Sequence, residues 1–331
     1  MIIKDKNIKL QFVKDFKLPI NVLKEENFQY LLDLLEPYYK SRTRYKYLLN
    51  ILDELGENSF PQYFAKLKSS ILDDIKNKDS YKLLGSDNSI LNVYNNIKYQ
   101  DIKSGNIYNN ESIDKTFISI DLTKANFQSM KFYNPEIINN KDTYESFISN
   151  YIEELKNKDY FLKSKQLRQV IFGNLNPKRQ QLISQNLLTE LIDFALEINI
   201  EPEKIKKVGS DEFVIYIDNE NELCEIIEYF NAFQKKSYID FTIEPYHLRC
   251  ANEKHKFYIR EMLSLNNNDV LNIDFKNIPG IFVPQVIKQI EERELNDFDM
   301  MFYHEKHLCQ FVEPIDIEYK IKKEEISSFK L

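Results

Sequence analysis

Apolar residues along this chain follow two rhythms. From Glu25 to about Leu84 they recur every three or four positions: Phe28, Leu31, Leu32 and Leu35, then Tyr45, Leu48, Leu49 and Leu52, then Phe64, Leu67, Ile71 and Ile75. Such spacing puts each set on one face of a helix, so it predicts three amphipathic helices. Pro37 closes or kinks the first, and Gly56 stops the second. The stretch Ile2–Leu23 ahead of them is mixed and reads as strand-like.

The second rhythm is strand-like. Thr116-Phe117-Ile118-Ser119-Ile120-Asp121 predicts a strand that ends in an acid. Ile205–Val208 and Phe213–Ile217 predict a hairpin with a tight turn at Gly209-Ser210. Phe213, Ile215 and Ile217 share one face, with Val214 and Tyr216 on the other. A strand so rich in β-branched and aromatic residues is expected to be buried on both sides. Between these strands, Tyr144, Phe147, Ile148, Tyr151 and Ile152 predict one helix. Pro177 begins another, capped by Asn176 and running through Leu182, Ile183, Leu187, Leu191, Ile192 and Leu196. Beyond the hairpin come a helix at Leu223, Ile226, Ile227 and Phe230, strands at Tyr238–Glu244 and Lys256–Ile259, and a helix over Val283–Glu292 entered at Pro284. The order is close to βαββαβ. It predicts an α+β fold, a ferredoxin-like antiparallel sheet with helices on one face. Residues 1–112 then form a mostly helical domain with a polar, Asn-rich connection over about 85–114. Residues 113–262 carry the sheet, and 263–331 a small C-terminal subdomain.

Composition narrows the class. Hydrophobic residues make up 43% and charged residues 29%, the balance of a soluble globular protein. No apolar run approaches the roughly 18–20 residues of a membrane span, so no membrane partner is expected. The segment Met1–Lys6 lacks a signal-peptide pattern. Cys224, Cys250 and Cys309 are widely spaced and fit a reducing compartment, so a cytoplasmic location is expected. A net charge of −7 argues against indiscriminate nucleic-acid binding but leaves room for a local basic groove. Nothing here specifies the oligomeric state.

Candidate chemistry centres on acids. Asp121 ends one strand, and Asp211 with Glu212 stands at the lip of the hairpin. Acids at the edge of a buried hairpin are costly unless a cation or basic partner compensates them, or unless the turn simply stands in water. An Asp on one strand plus an acidic pair on another is what two-metal phosphoryl transfer requires, with carboxylates from different strands clamping two cations about 3.5–4 Å apart. Magnesium prefers a few carboxylates plus substrate phosphates, so Mg2+ or Mn2+ is the expected cofactor. Lys163, Lys165, Arg168, Lys178 and Arg179 surround a turn at Gly173–Pro177 that opens a Pro-started helix, a ready anion site between the two acidic stations. These residues are expected to meet nucleotide phosphates. Arg42, Arg44 and Lys46 alternate with Tyr45 and Tyr47, a pattern suited to gripping nucleic-acid phosphates and stacking bases, or else to a solvated helix end. His304, His307 and Cys309 offer three soft ligands without a fourth and do not read as a zinc site.

Asp121-Leu122-Thr123-Lys124-Ala125-Asn126-Phe127 resembles the first palm motif of reverse transcriptases and related polymerases, in which an Asp binds metal and the side chain five positions on lies against the sugar. Gly209-Ser210-Asp211-Glu212-Phe213-Val214-Ile215 resembles their later motif, an acidic pair before Phe and a β-branched run. It is also similar to the Gly-Gly-Asp/Glu-Glu-Phe turn of diguanylate-cyclase palms, with Ser210 in place of the second Gly. The likeness spans about residues 113–260. It departs from reverse transcriptases at Glu212, where they usually carry a second Asp, and in lacking the Gln-Gly and Ser-Pro pairs of their middle motif. The resemblance implies a palm-domain nucleotidyltransferase, viral or mobile-element-like, that joins NTPs or dNTPs to a primer or template-bound 3′ end. Asp121, Asp211 and Glu212 would be catalytic and metal-binding, with Leu122, Asn126, Phe127 and Gly173 at the nucleotide. A nucleotide cyclase or dinucleotide synthase is the alternative reading. An inactive palm that serves as a binding protein is another.

Overall fold

The structure, a computed structural model, describes residues 3, 5–89, 102, 104–263 and 272–319. Part of the Asn-rich connection expected over 85–114 and the charged tail from 320 lie outside the described residues. Among the described residues the chain is mixed α+β, with 13 α-helices and two antiparallel sheets. The larger sheet comprises β1 (Thr116–Leu122), β2 (Ile205–Val208), β3 (Glu212–Ile217), β4 (Phe241–Asn252), β5 (Phe257–Met262) and β6 (Asn272–Lys276). Their order is β2-β3-β1-β4-β5-β6, while β7 (Met301–His304) and β8 (His307–Gln310) form a separate hairpin.

Contacts group the chain into two compact units, neither continuous in sequence: Met1–Glu57, Tyr108–Lys115 and Tyr246–Leu331 in one, Asn58–Ile107 and Thr116–Pro245 in the other. The domains expected from sequence ran in chain order, whereas this grouping joins the first helices to the C-terminal segment.

In the first unit, the segment read as strand-like holds the helix Lys6–Phe16. Ile8, Phe12, Val13 and Phe16 supply one apolar face at helical spacing. The Asp5 carboxylate accepts from the Asn7 N–H at 2.7 Å, and left-handed Lys17 (φ 51°) ends the helix. Phe12, Phe28 and Tyr45 meet edge to face at 5.5–6.3 Å between centroids, which ties this helix to Glu25–Tyr39 and Ser41–Leu55. Pro37 lies inside the second of these, and Gly56 (φ 81°) stops the third, where only glycine is unstrained. A second cluster packs Ala251, Phe257, Ile259 and Ile273 against Val286 and Ile290 of the helix Val283–Ile290.

In the second unit, β1 and β3 pair antiparallel with Thr116 opposite Ile217 and Asp121 opposite Glu212. Phe117, Ile118, Ile120, Leu122, Phe213, Val214 and Ile215 are at most 2% exposed, so these strands are buried on both faces, as their composition predicts. The helices Ala125–Tyr133 and Pro177–Glu197 approach closely through small side chains, with Ser129 Oγ 2.7 Å from Ser184 Oγ. Asn176 was expected to cap the second of these. It sits in the left-handed region (φ 50°) and its side chain makes no capping bond. Gln180, one turn on, donates instead to the carbonyls of Phe172 (2.8 Å) and Leu175, fastening the end of the helix Lys165–Gly173.

Phe127 stands at the centre of this packing, with ring centroids of Tyr144, Phe147 and Phe172 at 6.1–6.2 Å. Phe127→Ala is expected to cost about 3–5 kcal/mol in urea denaturation, the range for emptying a buried aromatic site. A cost below about 1 kcal/mol would show that the ring is not a core element.

Candidate active site

The strand β1 presents Asp121, and Ser119 two residues earlier shares its face. The β1–β3 ladder continues past Asp121, since the Leu122 N–H donates to the Asp211 carbonyl at 2.8 Å. In the hairpin, Val208 pairs with Phe213, and the Gly209 N–H donates to the Glu212 carbonyl at 2.7 Å. The central turn residues are therefore Ser210 and Asp211, one position later than the turn read from sequence. A Cβ at Gly209 would lie 3.3 Å from the Glu212 carbonyl, a close approach that favours glycine there. Asp211 stands exposed at the tip, one carboxylate oxygen accepting from Ser210 Oγ at 3.0 Å.

Charge makes this corner unusual. Burial, followed by the carboxylates of Asp211, Glu212 and Glu244, pushes the Asp121 carboxyl up to about 7, and Lys165 opposes them. Glu244, on β4, escaped the sequence reading. It alternates with Phe241 and Ile243 as an ordinary outward residue would, and only the placement of β4 beside β1 gives it a role. Glu212 is different again. Its Oε1 accepts from buried Ser119 Oγ at 2.6 Å, and its Oε2 contacts the Lys207 ammonium.

Among the described residues, no three His, Cys, Asp or Glu side chains lie close enough to enclose a metal ion. Magnesium does not require such a cage. It is held by one or two carboxylates and completed by phosphates and water. A half-buried acid repelled by three others, with an exposed Asp211 beside it, fits that kind of cation.

The cations expected at phosphates divide by partner. Lys165 acts on Asp121 from the start of the helix Lys165–Gly173, whose cap, Ser164 Oγ, accepts from the Leu167 N–H at 3.0 Å. Arg168 lies over the Tyr144 ring at 5.6 Å, and burial holds its guanidinium below the usual range. Lys163 and Arg168 both act on Glu145, which also binds Lys124 Nζ at 2.6 Å. Lys178 is exposed, whereas Arg179 donates to the Asp87 carbonyl. Gly173 and Asn126 are exposed and Leu122 is buried. Phe127, expected at the nucleotide, is only 2% exposed, and its ring belongs to the core.

The basic-aromatic cluster of the other unit is mostly spent on packing. Arg42 binds both oxygens of Asp33, at 2.7 and 2.8 Å, and the Gln29 carbonyl at 3.0 Å. Arg44 donates to the Phe16 carbonyl at 3.2 Å and lies over that ring at 5.4 Å, and burial lowers its pKa. Tyr45 is buried, which leaves Lys46 as the exposed cation of the expected three. Two of the three were thus drawn away by neighbouring helices, a pairing that the spacing of the cations alone does not show.

No family model, curated protein or solved structure matches the chain. Among the described residues, no helix is long and apolar enough to cross a membrane.

The raised pKa of Asp121 has a thermodynamic consequence with a definite sign. A carboxyl whose folded pKa lies above its unfolded value favours folding fully below the unfolded value, about 3.9, and that contribution is lost as pH rises through the folded value. In divalent-free buffer, Asp121→Asn is therefore expected to be more stable than wild type above pH of about 7, with the gap shrinking towards pH of about 4. Thermal unfolding across that range checks this. A gap independent of pH would show that Asp121 ionises as an ordinary carboxyl.

Proposed function

We propose that this chain is a metal-dependent nucleotidyltransferase with a polymerase-type palm, joining nucleoside triphosphates to a nucleic-acid 3′ end. The observation that carries the reading is that Asp211 from the β2–β3 turn and Glu244 from β4 both bear on the half-buried carboxyl of Asp121 on β1. The partial order β2-β3-β1-β4 supports it, being the arrangement of a split βαββαβ unit, with helices between β1 and β2 and the helix Glu220–Gln234 between β3 and β4. Bound Mg2+ or Mn2+ would supply neutralisation of phosphate charge and a more acidic attacking hydroxyl.

The chain's own residues take the remaining roles. Asp121 and Asp211 hold the cation. Lys165 balances their charge and receives the triphosphate, with Arg168 behind it. Asn126 takes the ribose; its exposure in the first turn of its helix supports this, as does the burial of neighbouring Phe127 in the core.

Incubation with Mg2+ and labelled NTPs or dNTPs, with and without a primer-template, is expected to give extended strands. Asp211→Asn should reduce the rate by about 100-fold or more without unfolding the protein, the scale for removing one transition-state stabiliser. Cyclic or dinucleotide products would replace this reading with the cyclase one. No product under any condition would leave a palm that only binds.

Asn126→Tyr is expected to lower the rNTP/dNTP ratio of kcat/KM by about tenfold or more, the worth of one hydrogen bond to the 2′-hydroxyl. An unchanged ratio would remove Asn126 from the sugar site.

A further inference from the structure

We infer that the Lys207 ammonium stands in for a second cation, so that this site takes one divalent ion rather than two. The inference rests on the metal reading above and deepens it. A two-cation site needs an acid with oxygens open to share between the ions. Glu212 is the acid across the ladder from Asp121, but both its oxygens are engaged. Ser119, fully buried on β1, donates to one at 2.6 Å, and Lys207 contacts the other. The Glu212 and Lys207 side chains are only 18% and 30% exposed, so this pair is less screened than one standing in open water.

The backbone aims Lys207 at this task. Ile205 pairs with Ile215 but Lys207 with Val214, so β2 carries an extra residue against β3 between those positions. Such a bulge redirects the side chains that follow it. Lys206, the neighbouring residue, instead lies over the Tyr216 ring at 5.9 Å and is exposed. An ammonium cancels the charge of Glu212 and donates hydrogen bonds, but offers no open coordination position. Asp121 and Asp211 are left to bind a single divalent ion.

Counting bound Mn2+ on the full chain, from loss of the free-ion electron paramagnetic resonance signal with the metal alone, tests this. Wild type is expected to bind one ion per chain. Lys207→Met should bind two, with the spin-coupled spectrum of neighbouring ions. Lys206→Met, which removes the same charge but leaves Glu212 paired, should still bind one. Lys207→Gln serves if the Met variant does not fold. Two ions in wild type, one in a folded Lys207 variant, or two in Lys206→Met would each overturn the inference. No bound ion in wild type would instead remove the metal reading itself, and this inference with it.

Discussion

Repulsion among carboxylates around Asp121 is the constraint that the second unit is built to withstand. At an effective dielectric constant near 20, two like charges 4 Å apart repel by about 4 kcal/mol, a large share of the roughly 5–15 kcal/mol that holds a domain folded. The chain relieves the strain unequally. Glu212 receives Ser119 and Lys207, whereas Asp121 keeps a carboxyl pushed to about 7 with an exposed lysine as counterweight. Asp121 is left with little compensation beside the exposed Asp211, and that cost is met by the burial of β1 and β3 on both faces.

The surrounding joints keep those acids together. Lys124 adopts a left-handed conformation (φ 50°) where β1 gives way to the helix Ala125–Tyr133, and its side chain is fastened to Glu145. Gln128 bonds the carbonyls of Thr123 and Asp240 and accepts from the Asp240 N–H at 2.9 Å. It thereby staples the end of β1 to the start of β4, the strand that carries Glu244. Left-handed backbone at a non-glycine residue costs free energy and persists where its neighbours over-determine it. Here the Lys124–Glu145 pair holds the left-handed residue, and the Gln128 bonds beside it join the strands that carry Asp121 and Glu244.

Much of this was legible in the residue pattern, for physical reasons. The strand Thr116–Leu122, the hairpin and the helices at Phe28, Leu48 and Leu67 follow from periodicity, because each buries one face. Asp121, Asp211 and Glu212 were legible because acids at the ends of apolar runs stand out. The helix Lys6–Phe16 was missed because Ile2 and Ile3 suggest a strand and its cap, Asp5, is a single residue. Glu244 depends on sheet order, the Lys207–Glu212 pair on a bulge, and the Arg42–Asp33 pair on how two helices pack. None of those three leaves a local signal. The placement of Phe127 in the core, rather than at a nucleotide, turned on three aromatic partners from two other helices, Tyr144 and Phe147 on one and Phe172 on the next.

The most direct measurement of the central claim is the thermal unfolding midpoint of wild type and Asp121→Asn at neutral pH, with and without Mg2+. A ligand that binds only the folded state stabilises it by about 2.7 kcal/mol at a concentration 100 times its Kd. Mg2+ is expected to raise the wild-type midpoint and to leave that of Asp121→Asn where it was. An equal rise in both proteins, or none in wild type, would contradict a cation site at Asp121.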